Sequence, residues 1–332
     1  MTTMMRAALI EAHDGPFLVR DIPRPEPGPG EVLVRIAASG VNPLDTKIRA
    51  GAALHARHPV PAVLGLDMAG VVAGVGAGVT RFAIGDEVYG MVGGVGGVQG
   101  TLADYAAVDA DLLARKPANL SMREAAVLPL ITITAWEGLV DRMNLAAGET
   151  LLVQGGAGGV GHVVVQIGRA LGARVLATAS AGDRAVVEGF GATFIDRTEP
   201  VTDQIARCTA GRGFDKVYDT VGGKALDASF EAVRRFGHVV SSLGWGTHAL
   251  APLSFKAASY SGVFTLMPLL SGEGRDRHGI ILEEARALVE RGQIAPRMNP
   301  GRYGLDTIDK AYDAVVSGTS GGKTVIDLQP DA

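Results

Sequence analysis

The strongest structural signal in this 332-residue chain is Leu151-Leu152-Val153-Gln154-Gly155-Gly156-Ala157-Gly158-Gly159-Val160-Gly161, an apolar segment that opens onto a glycine-rich turn. Gly156, Gly158 and Gly161 have G-x-G-x-x-G spacing, and an apolar helical pattern follows them. Glycines at this spacing allow a tight turn, a close approach to a pyrophosphate and close helix–strand packing. We therefore predict a dinucleotide site in which backbone N–H groups at a helix N-terminus face the phosphates.

The chain beyond Ser121 alternates between strand and helix patterns. Ser121 and Glu124 fit a capping box that opens a helix. Strands are predicted at 151–154, 174–178, 192–195, 215–219 and 238–243, with helices between them. Such alternation is typical of a parallel sheet with helices on both faces, so the predicted fold class is α/β with a doubly wound Rossmann sheet.

The first third of the chain has a different pattern. Short apolar segments at 6–10, 32–37, 69–73 and 86–90 are separated by Gly and Pro, which predicts a mainly β, barrel-like unit. The glycine-rich segment 91–100 is interpreted as a mobile loop, either a lid over a cleft or simply flexible. A closing helix at 307–316 and a closing strand at 324–328 follow the last βα unit.

Composition excludes several classes of protein. The net charge is −4, with 47% apolar and 20% charged residues, so we expect neither nucleic-acid nor membrane binding. No basic segment followed by an apolar core opens the chain, which favours a cytoplasmic location. The single cysteine, Cys208, excludes an intrachain disulfide and a four-thiolate zinc site, and it is expected to pack at a helix end.

Several further motifs stand along the chain: Gly40-Val41-Asn42-Pro43-Leu44-Asp45, Gly65-Leu66-Asp67-Met68-Ala69-Gly70, Gly85-Asp86-Glu87-Val88, Ala126-Val127-Leu128-Pro129-Leu130, Asp219-Thr220-Val221-Gly222-Gly223 and Gly322-Lys323-Thr324-Val325. In this order, and with the glycine turn, they make the chain similar to the medium-chain dehydrogenase/reductase superfamily, in its zinc-independent quinone-oxidoreductase branch. The resemblance covers essentially the whole length.

The resemblance implies a discontinuous catalytic domain of the mainly β, GroES-like type. Residues 1–126 and 267–332 would form this domain, and residues 127–266 would form an inserted NADP-binding Rossmann domain. The active site would lie in the cleft between them. Relatives extend the nucleotide-domain sheet across a two-fold axis, so the resemblance also implies a homodimer, with Tyr260–Leu266 as the joining edge.

Zinc is not expected. By resemblance, the positions of a cysteine and a histidine ligand are held by Asn42 and Leu66, and tetrahedral zinc needs such thiolate and imidazole donors. His55 and His58 are the best rival ligands, but nearby prolines limit any helix there, and we interpret both as solvent-facing loop residues.

The predicted cofactor is NADPH rather than NADH. NAD enzymes usually place an acidic residue at the end of the second strand, where this chain has Ser180. Ser180 can donate to a 2′-phosphate, and Arg184 and Arg197 follow, although Arg197 either binds this phosphate or stacks on adenine. Asp183 is the counter-observation, and we interpret it as an acidic residue in the first turn of the next helix.

The remaining site residues come from the resemblance. The pyrophosphate turn comprises Gly156, Gly158, Gly159, Val160 and Gly161. The nicotinamide would be held by Thr134 and the region of Val221, and the other side of the cofactor would be lined by Ser242, Leu243 and Phe264. Lys323 either reaches the cofactor or lies on the surface.

On the substrate side, Asn42 is a candidate donor to an acceptor carbonyl. Asp45 either takes part in catalysis or caps its loop. Lys47 either donates to a substrate oxygen or is exposed.

These residues favour an NADPH-dependent reductase of quinones or α,β-unsaturated carbonyl compounds. Such acceptors are already electrophilic and need alignment with the cofactor more than activation by a metal. The alternative is an NADPH-binding regulatory protein with little or no turnover. Zinc-dependent alcohol oxidation is a third possibility, which would require a bound metal.

Overall fold

The computed structural model describes residues 3–329, which form two compact units. The first unit comprises the chain up to Leu130, Leu266–Arg291 and the chain from Pro296 onward. The second unit comprises Ile131–Thr265 and Gly292–Ala295. Gly292–Ala295 joins the second unit because the side-chain amide of Gln166 both accepts from the Ala295 N–H at 2.8 Å and donates to its carbonyl at 3.0 Å.

The N-terminal part of the first unit is built mainly from strands. Its strands are β1 (Met4–Ile10), β2 (Leu18–Pro23), β3 (Glu31–Val41), β4 (Ala62–Val63), β5 (Asp67–Val75), β6 (Glu87–Met91), β7 (Tyr105–Asp109) and β8 (Leu113–Arg115). Its helices are α1 (Pro43–Arg49) and α2 (Met122–Ala126). The predicted capping box at the start of α2 is confirmed, since Ser121 and Glu124 each accept the other's backbone N–H.

The glycine-rich segment 91–100 is packed against neighbouring backbone, so the predicted mobile loop is wrong. Most of its residues are buried, and its backbone bonds to Leu66, Ala56 and Val63. A β-carbon on Gly93 would lie 1.9 Å from the carbonyl oxygen of Gln99, and one on Gly100 would lie 2.3 Å from the carbonyl of Leu64. The glycines are there because backbone meets backbone without room for a side chain.

The second unit is a single parallel sheet with helices. Its strands are β9 (Thr150–Gln154), β10 (Arg174–Ala179), β11 (Thr193–Asp196), β12 (Phe214–Asp219), β13 (Val233–Ser241) and β14 (Ser259–Gly262). Its helices are α3 (Pro129–Trp136, which begins in the first unit), α4 (Gly161–Ala170), α5 (Arg184–Gly189), α6 (Val201–Thr209), α7 (Lys224–Ala232) and α8 (Ala251–Lys256). Cys208 is buried near the end of α6, as predicted.

The strand order of this sheet is β11-β10-β9-β12-β13-β14, with every neighbouring pair parallel. Counted from β9, this is the 3-2-1-4-5-6 order of dinucleotide-binding sheets, so the predicted doubly wound Rossmann sheet is confirmed. The order reverses between β9 and β12, and loops that leave the carboxyl ends of these two strands therefore open a crevice.

The inner strands of this sheet bury apolar side chains, as expected where helices cover both faces. Leu152, Leu176 and Ile195 of successive strands pack with Val217 and Val239 in one core cluster, and each is at most 1% exposed. The helices contribute Leu226, Phe230 and Leu253 to the same cluster. This burial, at ~25 cal/mol per Å² of apolar surface, is what fixes the strand ends and hence the loops of the crevice.

The chain then completes the first unit. It forms α9 (Met267–Ser271), α10 (Arg275–Glu290), β15 (Tyr303–Gly304), α11 (Ile308–Val316) and β16 (Thr324–Asp327). β16 pairs antiparallel with β3 in a seven-stranded sheet of order β15-β16-β3-β5-β6-β8, with β7 also on β3, and β2-β1-β4 form a second sheet. This pairing places the C-terminal strand beside Asn42, since Thr324 is opposite Val41.

Candidate functional site

The glycine turn follows β9 at the point where the strand order reverses. A β-carbon on Gly156 would lie 2.4 Å from the β-carbon of Ala177, and one on Gly161 would lie 2.0 Å from the carbonyl oxygen of Gly155. These two glycines are therefore required by the packing of the turn itself. Gly158 differs, because it is exposed and a β-carbon there would meet only the Gly155 carbonyl oxygen, at 3.2 Å.

The exposed Gly158–Gly159 backbone at the start of α4 is thus accessible to a ligand of the size of a pyrophosphate. Side-chain-free backbone beside a helix N-terminus is the arrangement that binds phosphate groups. The residues of this turn fit a dinucleotide on geometry as well as on spacing.

Two polar side chains, which sequence reasoning missed, hold the turn in place: the buried Thr178 and the half-buried Thr220. Thr178 Oγ1 donates to Gln154 Oε1 at 2.7 Å and accepts from the N–H of Gly155 at 3.1 Å. Thr220 Oγ1 donates to the carbonyl of Gln154 at 2.7 Å, which ties the β9 and β12 loops together. The signal available in the sequence is a polar residue ending an otherwise apolar strand.

The residues predicted to select the cofactor lie together at the carboxyl ends of β10 and β11. Ser180 follows β10, Arg197 follows β11, and the N–H of Arg197 donates to the carbonyl of Ala179 at 2.9 Å. Ser180 Oγ donates to the carboxylate of Asp183 at 2.6 Å. Asp183 lies immediately before α5, in the first turn of a short 3-10 helix, so the acidic residue weighed against NADPH does lie at this edge.

Arg184 has partners within the second unit. Its guanidinium lies 4.2 Å from the centre of the Phe194 ring and pairs with Glu188 at 3.3 Å. Arg197 is exposed at the end of its strand. Of the two predicted phosphate ligands, Arg184 therefore already contacts Phe194 and Glu188, and Arg197 is the one whose side chain is more available to a ligand.

Thr134 lies at a distortion of its helix. The α-helix α3 continues into a π-helical segment, Glu137–Arg142, and the hydroxyl of Tyr218 donates to the carbonyl of Thr134 at 2.6 Å. Gly138 makes room for this tyrosine, since a β-carbon there would lie 2.1 Å from its ring. Single π-helical turns are frequent at functional sites because they redirect side chains. Tyr218 was not predicted as a site residue.

Asp219, at the end of β12, connects two of the predicted cofactor loops. Its carboxylate accepts from the N–H groups of Val221 and Gly222 at 3.1 Å and from Ser241 Oγ at 2.7 Å. Ser241 Oγ in turn accepts from the N–H of Leu243 at 3.0 Å. Burial raises the pKa of Asp219 against the opposing effect of these donors.

The loops that Asp219 braces carry Val221, Ser242 and Leu243, so these predicted residues meet at one edge of the sheet. The side chain of Val221 is 53% exposed, which is unusual for a valine and leaves it available to a ligand. Phe264 follows β14 and packs edge-to-face with Trp245, with ring centres 6.1 Å apart. The neighbouring strand ends place all four residues on the carboxyl side of the sheet, where ligands of such folds bind.

The first unit contains a buried polar cluster formed by Asn42, Asp45, Asp67 and Lys323. Asn42 Nδ2 donates to Asp67 at 2.9 Å, and its N–H donates to Asp45 at 2.7 Å. Lys323 Nζ donates to Asn42 Oδ1 and to the carbonyl of Val41. The other oxygen of Asp67 accepts the N–H of Leu130 at 2.9 Å.

Two carboxyl groups and one ammonium group influence one another electrostatically in this cluster. Burial raises the pKa of Asp45 to about 7 and that of Asp67 to about 6, because the charged carboxylates are removed from water. Burial also lowers the pKa of Lys323, while the two carboxyl groups oppose this effect. One oxygen of Asp45 is buried without a hydrogen-bond partner within the described residues 3–329.

Replacing Asp45 by asparagine is expected to flatten the pH dependence of stability. The folded protein keeps a proton on Asp45 up to about pH 7, whereas the unfolded carboxyl has an ordinary pKa of 3.8. This proton stabilises the folded state at low pH, and the contribution is lost as pH rises through 7. Asparagine keeps the acceptor for the Asn42 N–H, so Asp45→Asn is expected to lose less stability between about pH 5 and about pH 8.

Urea unfolding of wild type and variant at the two pH values measures this difference. Asp276→Asn is the matched control, because Asp276 is also acidic and in a first helical turn but is exposed. Equal pH slopes for Asp45→Asn and wild type would contradict the assignment.

Of the predicted substrate-side residues, Asn42 and Asp45 are buried, whereas Lys47 is not. Asn42 is 1% exposed and both ends of its amide are used inside the unit, so its contact with a substrate carbonyl stays a prediction. Asp45 caps α1 by accepting the Asn42 N–H, which is the structural alternative considered for it. Lys47 is exposed.

Lys323 is 6% exposed and inside the cluster, so the surface alternative for this residue is wrong. Sequence reasoning could not find the cluster, because β16 brings Lys323 to β3 from the far end of the chain.

The positions considered for zinc hold no metal donors of the expected kind. Leu66 is fully buried, and within residues 3–329 no group of three or more His, Cys, Asp and Glu side chains is arranged to hold a metal. His55 is exposed as predicted. The solvent-facing interpretation of His58 is wrong, since both of its ring nitrogens are buried.

The helices of residues 3–329 include none that is both long enough and apolar enough to span a bilayer.

Comparison with known proteins matches both parts of the chain to families. Residues 28–118 match the family described as "Alcohol dehydrogenase GroES-like domain", which confirms the predicted type of the first unit. Residues 159–271 match the family described as "Zinc-binding dehydrogenase".

Two curated relatives and one solved structure extend along most of the chain. The chloroplastic NADPH-dependent alkenal/one oxidoreductase of Arabidopsis thaliana is 33% identical over 91% of this chain and 73% of the relative. The quinone oxidoreductase of Pongo abelii is 28% identical over 97% of this chain and 98% of the relative. A crystal structure of an alcohol dehydrogenase superfamily protein from Novosphingobium aromaticivorans is 58% identical, with a TM-score of 0.96 over 98% of this chain and 100% of that one.

Proposed function

This chain belongs to the medium-chain dehydrogenase/reductase superfamily, and we propose that it reduces a quinone or an α,β-unsaturated carbonyl compound with NADPH and without zinc. The observation that carries the proposal is the exposed Gly158–Gly159 turn at the reversal point of the sheet, beside the start of α4. The two relatives, an alkenal/one oxidoreductase and a quinone oxidoreductase, supply the class of acceptor.

The residues of the second unit divide the binding of the cofactor between them. The N–H groups of the glycine turn and the start of α4 hold the pyrophosphate, aided by the helix dipole. Ser180 and Arg197 take the 2′-phosphate, and Thr134, Val221 and Ser242 flank the nicotinamide. Tyr218 positions Thr134 by donating to its carbonyl, and Asp219 positions Val221 by accepting its N–H.

When bound in this site, NADPH would supply a hydride for the electrophilic carbon of a conjugated enone or quinone. The negative charge that develops is delocalised onto the acceptor oxygen, so no Lewis acid is needed. A proton from water then completes the addition, and NADP⁺ and the saturated ketone or hydroquinone are the products. The positions that would carry cysteine and histidine ligands hold Asn42 and Leu66, which supports a reaction without zinc.

Stopped-flow oxidation of NADPH with an enone and with a 1,4-quinone tests this function. The matched control is the saturated ketone of the same skeleton, which should give no oxidation. Failure of both acceptors to accelerate oxidation over buffer would eliminate the proposal. Tight NADPH binding without turnover across a wide panel, together with cofactor-dependent capture of a partner, would favour a regulatory protein instead.

Arg197 and Asp183 are expected to shift the preference for NADPH in opposite directions. Arg197→Ala removes a guanidinium partner of the 2′-phosphate and should weaken NADPH binding about tenfold while leaving NADH binding unchanged. Asp183→Asn removes the carboxylate beside Ser180 and should strengthen NADPH binding relative to NADH.

Titration calorimetry of each variant with both cofactors measures these changes. Arg197→Lys keeps the charge and is expected to recover part of the affinity. Parallel losses of NADPH and NADH affinity in Arg197→Ala would show that this residue does not bind the 2′-phosphate.

A homodimer joined at β14 is part of the proposal. β14 is the last strand of the sheet, and among the described strands it pairs only with β13. A strand with one open edge can extend its sheet by pairing with a second copy across a two-fold axis. Light scattering on the purified protein should give twice the chain mass, and Tyr260→Pro, which blocks strand pairing, should give the monomer. The cytoplasmic location remains a prediction.

A further inference from the structure

The amino edge of the Rossmann sheet, opposite the glycine turn, carries a basic groove. It is a cavity of about 680 Å³ next to a smaller one of about 360 Å³, and the two share Arg212 and Arg234. Five cationic and two acidic side chains line them: Arg174, Arg212, Arg234, Arg235 and Lys256 against Asp215 and Glu231. The excess of positive charge is local, since the whole chain has a net charge of −4.

The carboxylate of Asp215, at this edge, already accepts hydrogen bonds at both of its oxygens. One oxygen of Asp215 accepts from the backbone and hydroxyl of Thr150 at 2.8 and 2.6 Å, and the other accepts from Arg234 at 2.5 Å. Asp215 therefore neutralises Arg234 only. Lys256 is also committed, since its ammonium donates to the carbonyls of Phe230 and Glu231.

Three arginines of the groove have no such partner. Within residues 3–329 the guanidinium groups of Arg174, Arg212 and Arg235 form no hydrogen bond or ion pair, and all three residues are exposed. Arg235 lines the larger cavity, Arg174 lines the smaller one and Arg212 lines both. Unpaired guanidinium groups along one groove repel one another, and a multivalent anion relieves this repulsion.

A bulge in strand β13 places Arg234 and Arg235 at the groove. Between the pairs Phe214–Val233 and Lys216–His238, β12 has the single residue Asp215 while β13 has residues 234–237, so the segment containing Arg234 and Arg235 bulges out of the sheet. Gly213 packs directly beneath this bulge, because a β-carbon there would lie 2.8 Å from the N of Arg234. Arg212 is thereby fixed beside the bulge.

Two phenylalanine side chains at the same edge are largely exposed to solvent and not packed in the core. Phe255 lines the larger cavity and is 88% exposed. Phe236, at the tip of the bulge, is 76% exposed and has a φ of 59°, a left-handed conformation that bulky residues rarely adopt. Neither backbone preference nor packing favours phenylalanine at position 236.

We propose that this groove is a binding site for an oligophosphate anion, separate from the glycine turn. Arg174, Arg212 and Arg235 supply guanidinium groups that match phosphate geometry, and the cavity volumes are those of small-molecule sites. The exposed ring of Phe255 offers a stacking surface, so a nucleotide is bound more tightly than an inorganic chain of the same charge. The proposal does not depend on the catalytic function.

The test measures binding of inorganic tripolyphosphate and of ATP to the full-length protein by calorimetry at low salt. The double variant Arg212→Ser/Arg235→Ser should lower the affinity for both at least about tenfold, because each lost charge-assisted contact weakens binding. It should melt at the wild-type temperature, since neither side chain has a partner to lose. Arg142→Ser, an exposed arginine of the same unit outside the groove, is the control and should bind normally.

Two outcomes would overturn the site: undetectable binding of either anion to wild type, or binding that is unchanged in the double variant but lost in Arg197→Ser at the opposite edge. The comparison of the two probes assigns the source of the anion. Tighter binding of ATP that Phe255→Ser abolishes supports a nucleotide, and equal binding supports a site that reads phosphate alone.

Discussion

Gly158→Ala is expected to weaken NADPH binding by at least about tenfold while the protein melts within about 2 °C of wild type. Gly158 is exposed and its β-carbon would meet only the Gly155 carbonyl oxygen, at 3.2 Å, so a methyl group requires that carbonyl to shift by only a few tenths of an ångström. The methyl group would occupy the space into which a pyrophosphate must come to reach the backbone N–H groups. Calorimetric titration and thermal melting together separate the two effects.

The neighbouring glycines sharpen this test. Gly161→Ala should lower both binding and stability, because its β-carbon would lie 2.0 Å from the Gly155 carbonyl oxygen and the turn must open. Gly189→Ala is the control for a harmless methyl group, since Gly189 is exposed in the same unit with nothing within 4 Å. Wild-type NADPH affinity in Gly158→Ala would show that the cofactor does not approach this turn.

Lys323→Met is expected to destabilise the protein by about 3–5 kcal/mol at about pH 8. The substitution leaves two buried carboxyl groups without the ammonium beside them and leaves Asn42 Oδ1 without its donor. Methionine has a similar length and fills the same space, so the loss reports the charge and hydrogen bonds rather than a cavity.

The size of this loss should depend on pH. Without Lys323 the pKa values of Asp45 and Asp67 rise further, because the ammonium that favours their charged forms is gone. A carboxyl group with a raised folded pKa stabilises the folded state below its unfolded pKa and loses that contribution as pH rises through the folded pKa. The deficit of the variant should therefore be smaller at about pH 5 than at about pH 8, measured by urea unfolding.

A second substitution checks the cause. Adding Asp67→Asn to Lys323→Met removes one of the orphaned carboxyl groups and should recover part of the lost stability at the higher pH. A deficit that is independent of pH, or a double variant less stable than the sum of the single ones, would mean that Lys323 acts through packing and not through charge.

Two features were accessible from local sequence because they depend on neighbours in the chain. Gly161 is required by the carbonyl of Gly155 in the same turn, whereas Gly156 is required by Ala177 of the next strand. The Ser121–Glu124 box is equally local.

The segment 91–100 shows where local reasoning fails. The same glycine content that suggests flexibility in an isolated peptide also permits the closest backbone packing, and only its surroundings distinguish the two. Here the carbonyl groups of Val63, Leu64 and Leu66 lie against it, and they come from a different part of the chain.

The amino-acid sequence alone was sufficient to establish a doubly wound sheet, the glycine-rich turn after its strand β9 and the superfamily, because each rests on periodicity and short motifs. Three features became visible only in the folded protein. They are the buried polar cluster of Asn42, Asp45, Asp67 and Lys323, the hydrogen bond from Tyr218 to Thr134, and the arginine-lined groove. Each joins residues far apart in the chain, such as Val41 and Lys323 at 3.1 Å. Burial, which sets the pKa values of these groups, is a property of the assembled fold and has no counterpart in residue order.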